Sequence, residues 1–242
     1  IAKVAAKLAI GYKLDELKNE ITGQTLAAFE PTIDYVVIKI PRFDFEKFPS
    51  TDGILGVQMQ SVGEVMSIGR TFRESLQKGF RSLEVGLKGM HPKKTIDRDL
   101  DISKIRFPTA FRLLKVKQAF DLGKSIEEIY EQTKIDYWFL NQIKIISSLN
   151  EEDSLKELKV NGFSDAQIGK MMKKSALEIR SIRLSMGIKP VFKVVDTCAA
   201  EFIAKTPYCY SSYEEYNEIS PLEGKKVIVL GGGPNRIGQG IE

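Results

Sequence analysis

Apolar positions along the chain change their spacing three times. Val4, Leu8 and Gly11 follow a helical period, and Ile33-Asp34-Tyr35-Val36-Val37-Ile38-Lys39-Ile40 then reads as a strand apolar on nearly both faces and closed by Pro41. Phe43, Phe45 and Phe48 follow as a cluster expected to plug a core. A second strand is expected from Val62 to Ile68, with Gly63 and Glu64 inside it. Thr71, with Glu74 three residues on, is a capping-box pattern opening a helix that carries Leu76, Phe80 and Leu83. Gly86, Gly89 and Pro92 break that helix. The charged stretch Lys93, Lys94, Asp97, Arg98, Asp99 and Asp101 marks a domain boundary.

From about residue 103 to Gly187 the pattern is helix after helix. Leu113, Val116 and Phe120 share one face, and Gly123 stands where a helix turns left-handed to end. Ser125 with Glu128, Ser164 with Gln167, and Ser175 with Glu178 are three further capping boxes. Asp136 caps a helix whose apolar face is read as Phe139, Ile143, Ile146 and Leu149. Helices this short need packing partners, because propensity alone does not hold them. Beyond Pro190 the chain looks extended again. It reaches Pro221-Leu222-Glu223-Gly224 and a β-branched strand, Lys226-Val227-Ile228-Val229-Leu230, followed by a glycine-rich turn.

That last strand and turn look like the opening of a Rossmann-like unit, which needs roughly 30 residues to form one βαβ. Twelve residues follow the strand, so the chain is expected to be cut inside a domain. The uncapped first helix, beginning at Ile1, suggests missing upstream residues in the same way.

Composition narrows the classes. The chain has 242 residues, 43% hydrophobic and 28% charged, which is ordinary for a globular protein of one or two domains. No apolar run approaches a membrane span, and two cysteines, Cys198 and Cys209, fit a reducing cytosol. One histidine, His91, leaves little room for a Cys/His zinc site.

Three places carry candidate chemistry. The glycine-rich turn from Gly231 could cradle a phosphate, but it fits neither G-x-G-x-x-G, since Arg236 stands at the third glycine position, nor a P-loop. A ligand-free turn is the competing reading. Between Lys159 and Lys193 eight cations face only Asp165 and Glu178, so a helix-turn-helix with Arg180, Ser181 and Arg183 in a major groove competes with a solvated helical hairpin. Glu64, inside an apolar strand, must be paired, protonated or facing a wet cavity if it is buried; otherwise it points to water from an edge strand.

Long ordered stretches then point to a family. Phe29-Glu30-Pro31-Thr32-Ile33-Asp34-Tyr35-Val36, Lys39-Ile40-Pro41-Arg42-Phe43 and Ser61-Val62-Gly63-Glu64-Val65-Met66-Ser67-Ile68-Gly69-Arg70-Thr71 resemble the carbamoyl phosphate synthetase large subunit. So do Ile135-Asp136-Tyr137-Trp138-Phe139-Leu140, Val195-Asp196-Thr197-Cys198-Ala199-Ala200-Glu201-Phe202 and the final Gly231 to Glu242.

The resemblance implies a mixed, mainly α chain. Residues 1–84 would be the α+β end of the first (carboxyphosphate) ATP-grasp unit, 85–218 an all-α helical oligomerisation domain, and 219–242 the first strand and loop of a Rossmann-like pre-ATP-grasp domain opening the second half. It implies part of an ATP-dependent C–N ligase, with ATP and Mg (or Mn) held elsewhere in the parent and none on this piece, which is expected to be inactive alone. It also implies a glutaminase small subunit as partner, self-association through the helical domain, no nucleic acid, no membrane and a cytoplasmic location. Products would serve arginine and pyrimidine biosynthesis. No catalytic residue falls in this chain. Glu64, Arg236, Gly240 and Glu242 would line a passage for carbamate. A basic helix-turn-helix-like nucleic-acid-binding module is the alternative.

Overall fold

Alternating exposure, not continuous burial, characterises the first strand, β1 (Val36–Arg42): Val36, Ile38 and Ile40 turn inward while Val37, Lys39 and Pro41 face out. The computed structural model describes residues 2–47, 50–91, 100–204 and 207–231, together with the backbone of residues 235–236. Phe48, the charged stretch from Pro92 to Asp99, Gly240 and Glu242 lie outside the described residues. Pro41 does not close β1, which runs on to Arg42. β1 is an edge strand, where a residue lacking an N–H is tolerated.

Strand β2 (Gly63–Gly69) pairs antiparallel with β1, setting Ile40 opposite Val65 and Pro41 opposite Glu64. Its other edge holds a two-residue strand at Asn235–Arg236, which extends the order to a three-stranded sheet. The expected strand from Lys226 to Leu230 does not form. Val227, Ile228, Val229 and Leu230 are 83–89% exposed, and no described strand lies alongside to take their hydrogen bonds. Phe43 and Phe45 also depart from expectation: half-buried, they stack on each other with centroids 5.4 Å apart and stay outside the main core.

Helix α2 (Phe72–Ser82) packs on the inner face of the sheet. Among the described residues six α-helices follow: α3 (Arg112–Asp121), α4 (Ile126–Thr133), α5 (Tyr137–Ser148), α6 (Leu155–Val160), α7 (Asp165–Met171) and α8 (Ala176–Ser185). The boxes at Ser125, Ser164 and Ser175 form with both reciprocal hydrogen bonds, and Asp136 accepts from the N–H of Trp138. Ser154 caps α6 by accepting from Glu157 N, without the reciprocal bond of a box. Gly123 takes φ +82, as a left-handed helix end requires.

One hydrophobic cluster joins β2 to the helices through Val65, Leu76, Met90, Val116, Ile129, Leu140, Ile143, Ile146, Leu158, Ile168 and Ile179. On α5 the buried stripe is Leu140, Ile143 and Ile146; Phe139, expected in it, lies one step round the helix and is exposed. The described part is therefore mixed and mainly helical, with small antiparallel sheets. The second of these joins β3 (Val191–Val194) to β4 (Cys209–Ser212), so residues 85–218 are not all-α as expected: the stretch beyond Pro190 pairs as strands.

The chain divides into two compact units, residues 1–34 with 194–209 and residues 35–193 with 210–242. In the first, the short helix α1 (Ala2–Ala9) has no buried residue. Glu201 gathers Asn19 Nδ2 at 3.0 Å and the Thr25 hydroxyl, and Asp196 caps the N–H groups of Cys198 and Ala200.

Candidate functional site

Within the second unit, β2 carries the first sequence-predicted site residue outward. Glu64 is exposed, and its carboxylate lies 2.5 Å from Lys39 Nζ on the neighbouring strand. It sits on the central strand of the sheet, neither buried nor at an edge. Its backbone pairs with Asn235, and that of Gly63 with Arg236, so the sheet brings the main chain of Arg236 beside the strand bearing Glu64.

The inner face of the same strand is locked to α2. Ser67 Oγ donates to Ser75 O at 2.8 Å, and Ser75 Oγ returns a bond to Ser67 O at 2.9 Å. Thr71 caps α2 by accepting from Glu74 N, but the expected reciprocal half of that box is absent. The Glu74 carboxylate, 2% exposed as a residue, turns instead to Arg70 N at 2.8 Å and Ser212 Oγ at 3.1 Å. Its other oxygen lies 2.8 Å from Lys78 Nζ, too poorly aligned for a hydrogen bond but within ion-pair range. Glu74 is a buried anchor rather than a capping residue.

The next stripe of α2 faces the helical layer. Arg73 donates to Asn161 Oδ1 and Gln142 Oε1, both at 2.6 Å, and Arg81 donates to Gly162 O at 2.6 Å. Gln77 Oε1 accepts from Met90 N and Gln167 Nε2. Periodicity did not flag these polar side chains, because a polar residue on a helix reads as solvated.

Burial also dismantles the DNA-reading interpretation. Arg183 is 4% exposed and its Nε binds both oxygens of Asp165, at 3.1 and 2.9 Å. Lys159 reaches the same carboxylate at 2.8 Å, and Lys193 is buried against Glu218 at 3.0 Å with the Tyr216 ring 3.4 Å away. Three of the eight cations are thus spent inside the protein. Ser181 turns back to Leu177 O. The α7–α8 pair is a packed helical hairpin, and Gly169 lets its turn close: a Cβ there would meet Lys174 O at 2.5 Å. Burial opposes ionisation of Asp165, yet the hydrogen bonds from Lys159 and Arg183 outweigh it and hold the carboxyl below its usual range.

On the far side of α5, Trp138 stands at 51% exposure, edge-on to Phe139 and Phe72 with centroids 5.0 and 5.4 Å away. Tyr137 stacks on Tyr130 at 4.3 Å. Among the described residues no three His, Cys, Asp or Glu side chains group to hold a metal ion, and no helix is long and apolar enough to cross a membrane.

Residues 64–187 match the family described as carbamoyl-phosphate synthetase large chain, oligomerisation domain. Curated relatives named carbamoyl phosphate synthase large chain resemble the chain over its whole length. Those of Archaeoglobus fulgidus, Ralstonia nicotianae and Pseudomonas aeruginosa are 50%, 53% and 52% identical, covering 100% of this chain. The chain spans 24% of the length of each.

Proposed function

Because the chain belongs to the carbamoyl-phosphate synthetase large-chain oligomerisation-domain family, we propose that it works as a structural section of such a large chain. The parent reaction would be a ligation in which two ATP, bicarbonate and glutamine-derived ammonia give carbamoyl phosphate, feeding arginine and pyrimidine synthesis. An identity of 50–53% in alignments that cover the whole chain carries this reading.

Residues 1–84 are assigned to the end of the first ATP-grasp unit, 85–218 to the helical oligomerisation domain and 219–242 to the opening of the second half. By the family resemblance, ATP and its Mg or Mn are assigned to other segments of the large chain. Ammonia would come from a glutaminase small subunit. The helical region would meet further copies of the chain, a role that the exposed aromatic face of Trp138 and Phe139 supports. Unbridged Cys198 and Cys209 fit a cytosolic setting.

The chemical role assigned to this section is a passage lined by Glu64, Arg236, Gly240 and Glu242. Carbamate hydrolyses in bulk water, so it needs a narrow route that excludes solvent between two sites. The pairing of Gly63–Glu64 with Asn235–Arg236 supports this, since it draws two of the four positions to adjacent strands. In a complete large chain, Gly240→Leu is expected to leave bicarbonate-dependent ATP hydrolysis intact while carbamoyl phosphate formed per ATP falls. Unchanged coupling would overturn the passage.

A further inference from the structure

A cavity of about 230 Å³ opens where α2, α6 and the start of α7 meet β4 and the residue after it, and its charges do not balance. Its walls include Lys78, Arg81 and Lys159 against Glu74 and Asp165, and Arg183 stands directly behind Asp165. Four cations therefore share two carboxylates.

The allocation shows where the surplus lies. Glu74 is taken by Lys78 as an ion pair at 2.8 Å, and the same ammonium donates to Ile68 O at 2.9 Å and to Ser211 O. Asp165 is divided between Lys159 and Arg183. Arg81 is left without a carboxylate at ion-pair distance among the described residues; its one hydrogen bond there is from NH1 to Gly162 O. A guanidinium carries five donors in a planar fork, so most of Arg81's capacity is unspent. Tyr213 closes the opposite side, its ring 4.9 Å from Lys159 Nζ and 5.8 Å from the Arg183 guanidinium carbon. Burial pulls the Arg81 guanidinium below its ordinary value, and the more distant Glu74, Tyr213 and Asp165 offset only part of that cost.

We propose that this cavity binds a small dianionic oxyanion of the phosphate class, with the Arg81 fork as its main recognition group and Lys159 as the second cation. Two negative charges match the surplus. Planar bidentate donation selects an oxyanion over a spherical halide. The volume lies below the roughly 300–1,000 Å³ of sites for drug-sized ligands, so a free ion or a terminal phosphoryl group fits and a whole nucleotide does not. Because Ser211 and Tyr213 belong to the segment after β3, a bound anion would also tie that segment to α2 and α6.

The test uses the whole chain and inorganic phosphate as probe. Thermal unfolding is followed in sodium phosphate and in sodium chloride at matched ionic strength, with phosphorus-31 linewidths recorded during titration. A saturable rise in Tm with phosphate that chloride does not give is expected, and sulfate should displace phosphate in the phosphorus-31 titration. Arg81→Gln should weaken phosphate binding about tenfold or more, the effect of losing a charge-assisted contact, while its Tm in chloride stays near that of the parent. Should that variant fail to fold, Arg81→Lys keeps the charge but not the fork, and is expected to bind phosphate more weakly than the parent. Equal stabilisation by chloride, a rise that never saturates, or undiminished phosphate binding in a folded Arg81 variant would each overturn the site.

Discussion

Replacing Asp165 by Asn removes one negative charge from between two buried cations and changes almost nothing in shape. Arg183 and Lys159 have side chains only 5% and 7% exposed, and each holds Asp165 within 3 Å. Removing one partner of a buried pair leaves the other charge uncompensated, at roughly 3–5 kcal/mol. Asp165 itself is 18% exposed, so water relieves part of the penalty and the lower end applies. A loss of about 3 kcal/mol is expected, a large share of the roughly 5–15 kcal/mol that holds a domain folded. At about 2–4 °C per kcal/mol for a chain of this size, Tm should fall by about 6–12 °C. The pH dependence supplies an internal control. The folded-state value of Asp165 is depressed below its ordinary 3.8, so its contribution is complete above that value and is lost as pH falls through the depressed one. The gap between parent and variant, measured by urea unfolding, should therefore be constant near neutrality and close in strong acid. A variant within about 1 kcal/mol of the parent at pH 7, the ordinary worth of an exposed pair, would mean that the cations are solvated and the reasoning wrong.

Gly162→Ala tests the joint between α2 and α6: the position has φ +83, and a Cβ would sit 2.8 Å from Glu74 Cα and 2.9 Å from Glu74 O. Left-handed strain of about 1–2 kcal/mol and overpacking of about 1–3 kcal/mol add, so calorimetry should show a loss of at least about 2 kcal/mol; a neutral result would refute the close approach. His91 is the one histidine, so its ring proton resonance titrates without overlap. Burial, followed by the charges of Lys170, Lys117 and Lys88, pulls it below 6.5 despite a bond to Gly89 that acts the other way. Stability tied to His91 is thus present above 6.5 and lost as pH falls through the folded value, and Lys170→Gln should move the midpoint back up. A midpoint at or above 6.5 in the parent would contradict this.

Legibility in the sequence followed the range of the interaction. Caps at Ser125, Asp136, Ser164 and Ser175 depend on groups three residues apart or fewer, and they stood where their residue types indicated. The central strand from Gly63 and the left-handed turn at Gly123 were equally local. Readings that failed needed a distant partner. Residues 226–230 have every property of a strand except, among the described residues, a neighbour to pair with. Glu74 fits a capping box perfectly well, yet Ser212, far along the chain, and Lys78 draw its carboxylate elsewhere. Arg183 looked like a DNA contact because nothing local reveals that Asp165 lies beneath it. For the passage, Glu64 was visible as an odd carboxylate, but its outward direction and its pairing with Lys39 follow from strand register alone.

The polar stripe of α2 explains why such registers hold. Arg73, Gln77 and Arg81 recur every fourth residue and so lie on one face of the helix. An amphipathic reading sends that face to water, yet it meets α5, α6 and α7, while Ser75 and Leu76 meet the sheet and core. A helix buried on both sides by apolar packing alone could slide by a turn with small loss, because hydrophobic contact is not directional. Three directional partners at fixed intervals remove that freedom, since a shift would strand Arg73 from Asn161 and Arg81 from Gly162 at once. The exposed face of β2, which carries Glu64, is fixed to this helix by the reciprocal Ser67–Ser75 bonds. Position along the proposed passage is then set by polar groups remote from it, so Ser75→Ala should disturb the placement of Glu64 more than its modest cost in stability implies.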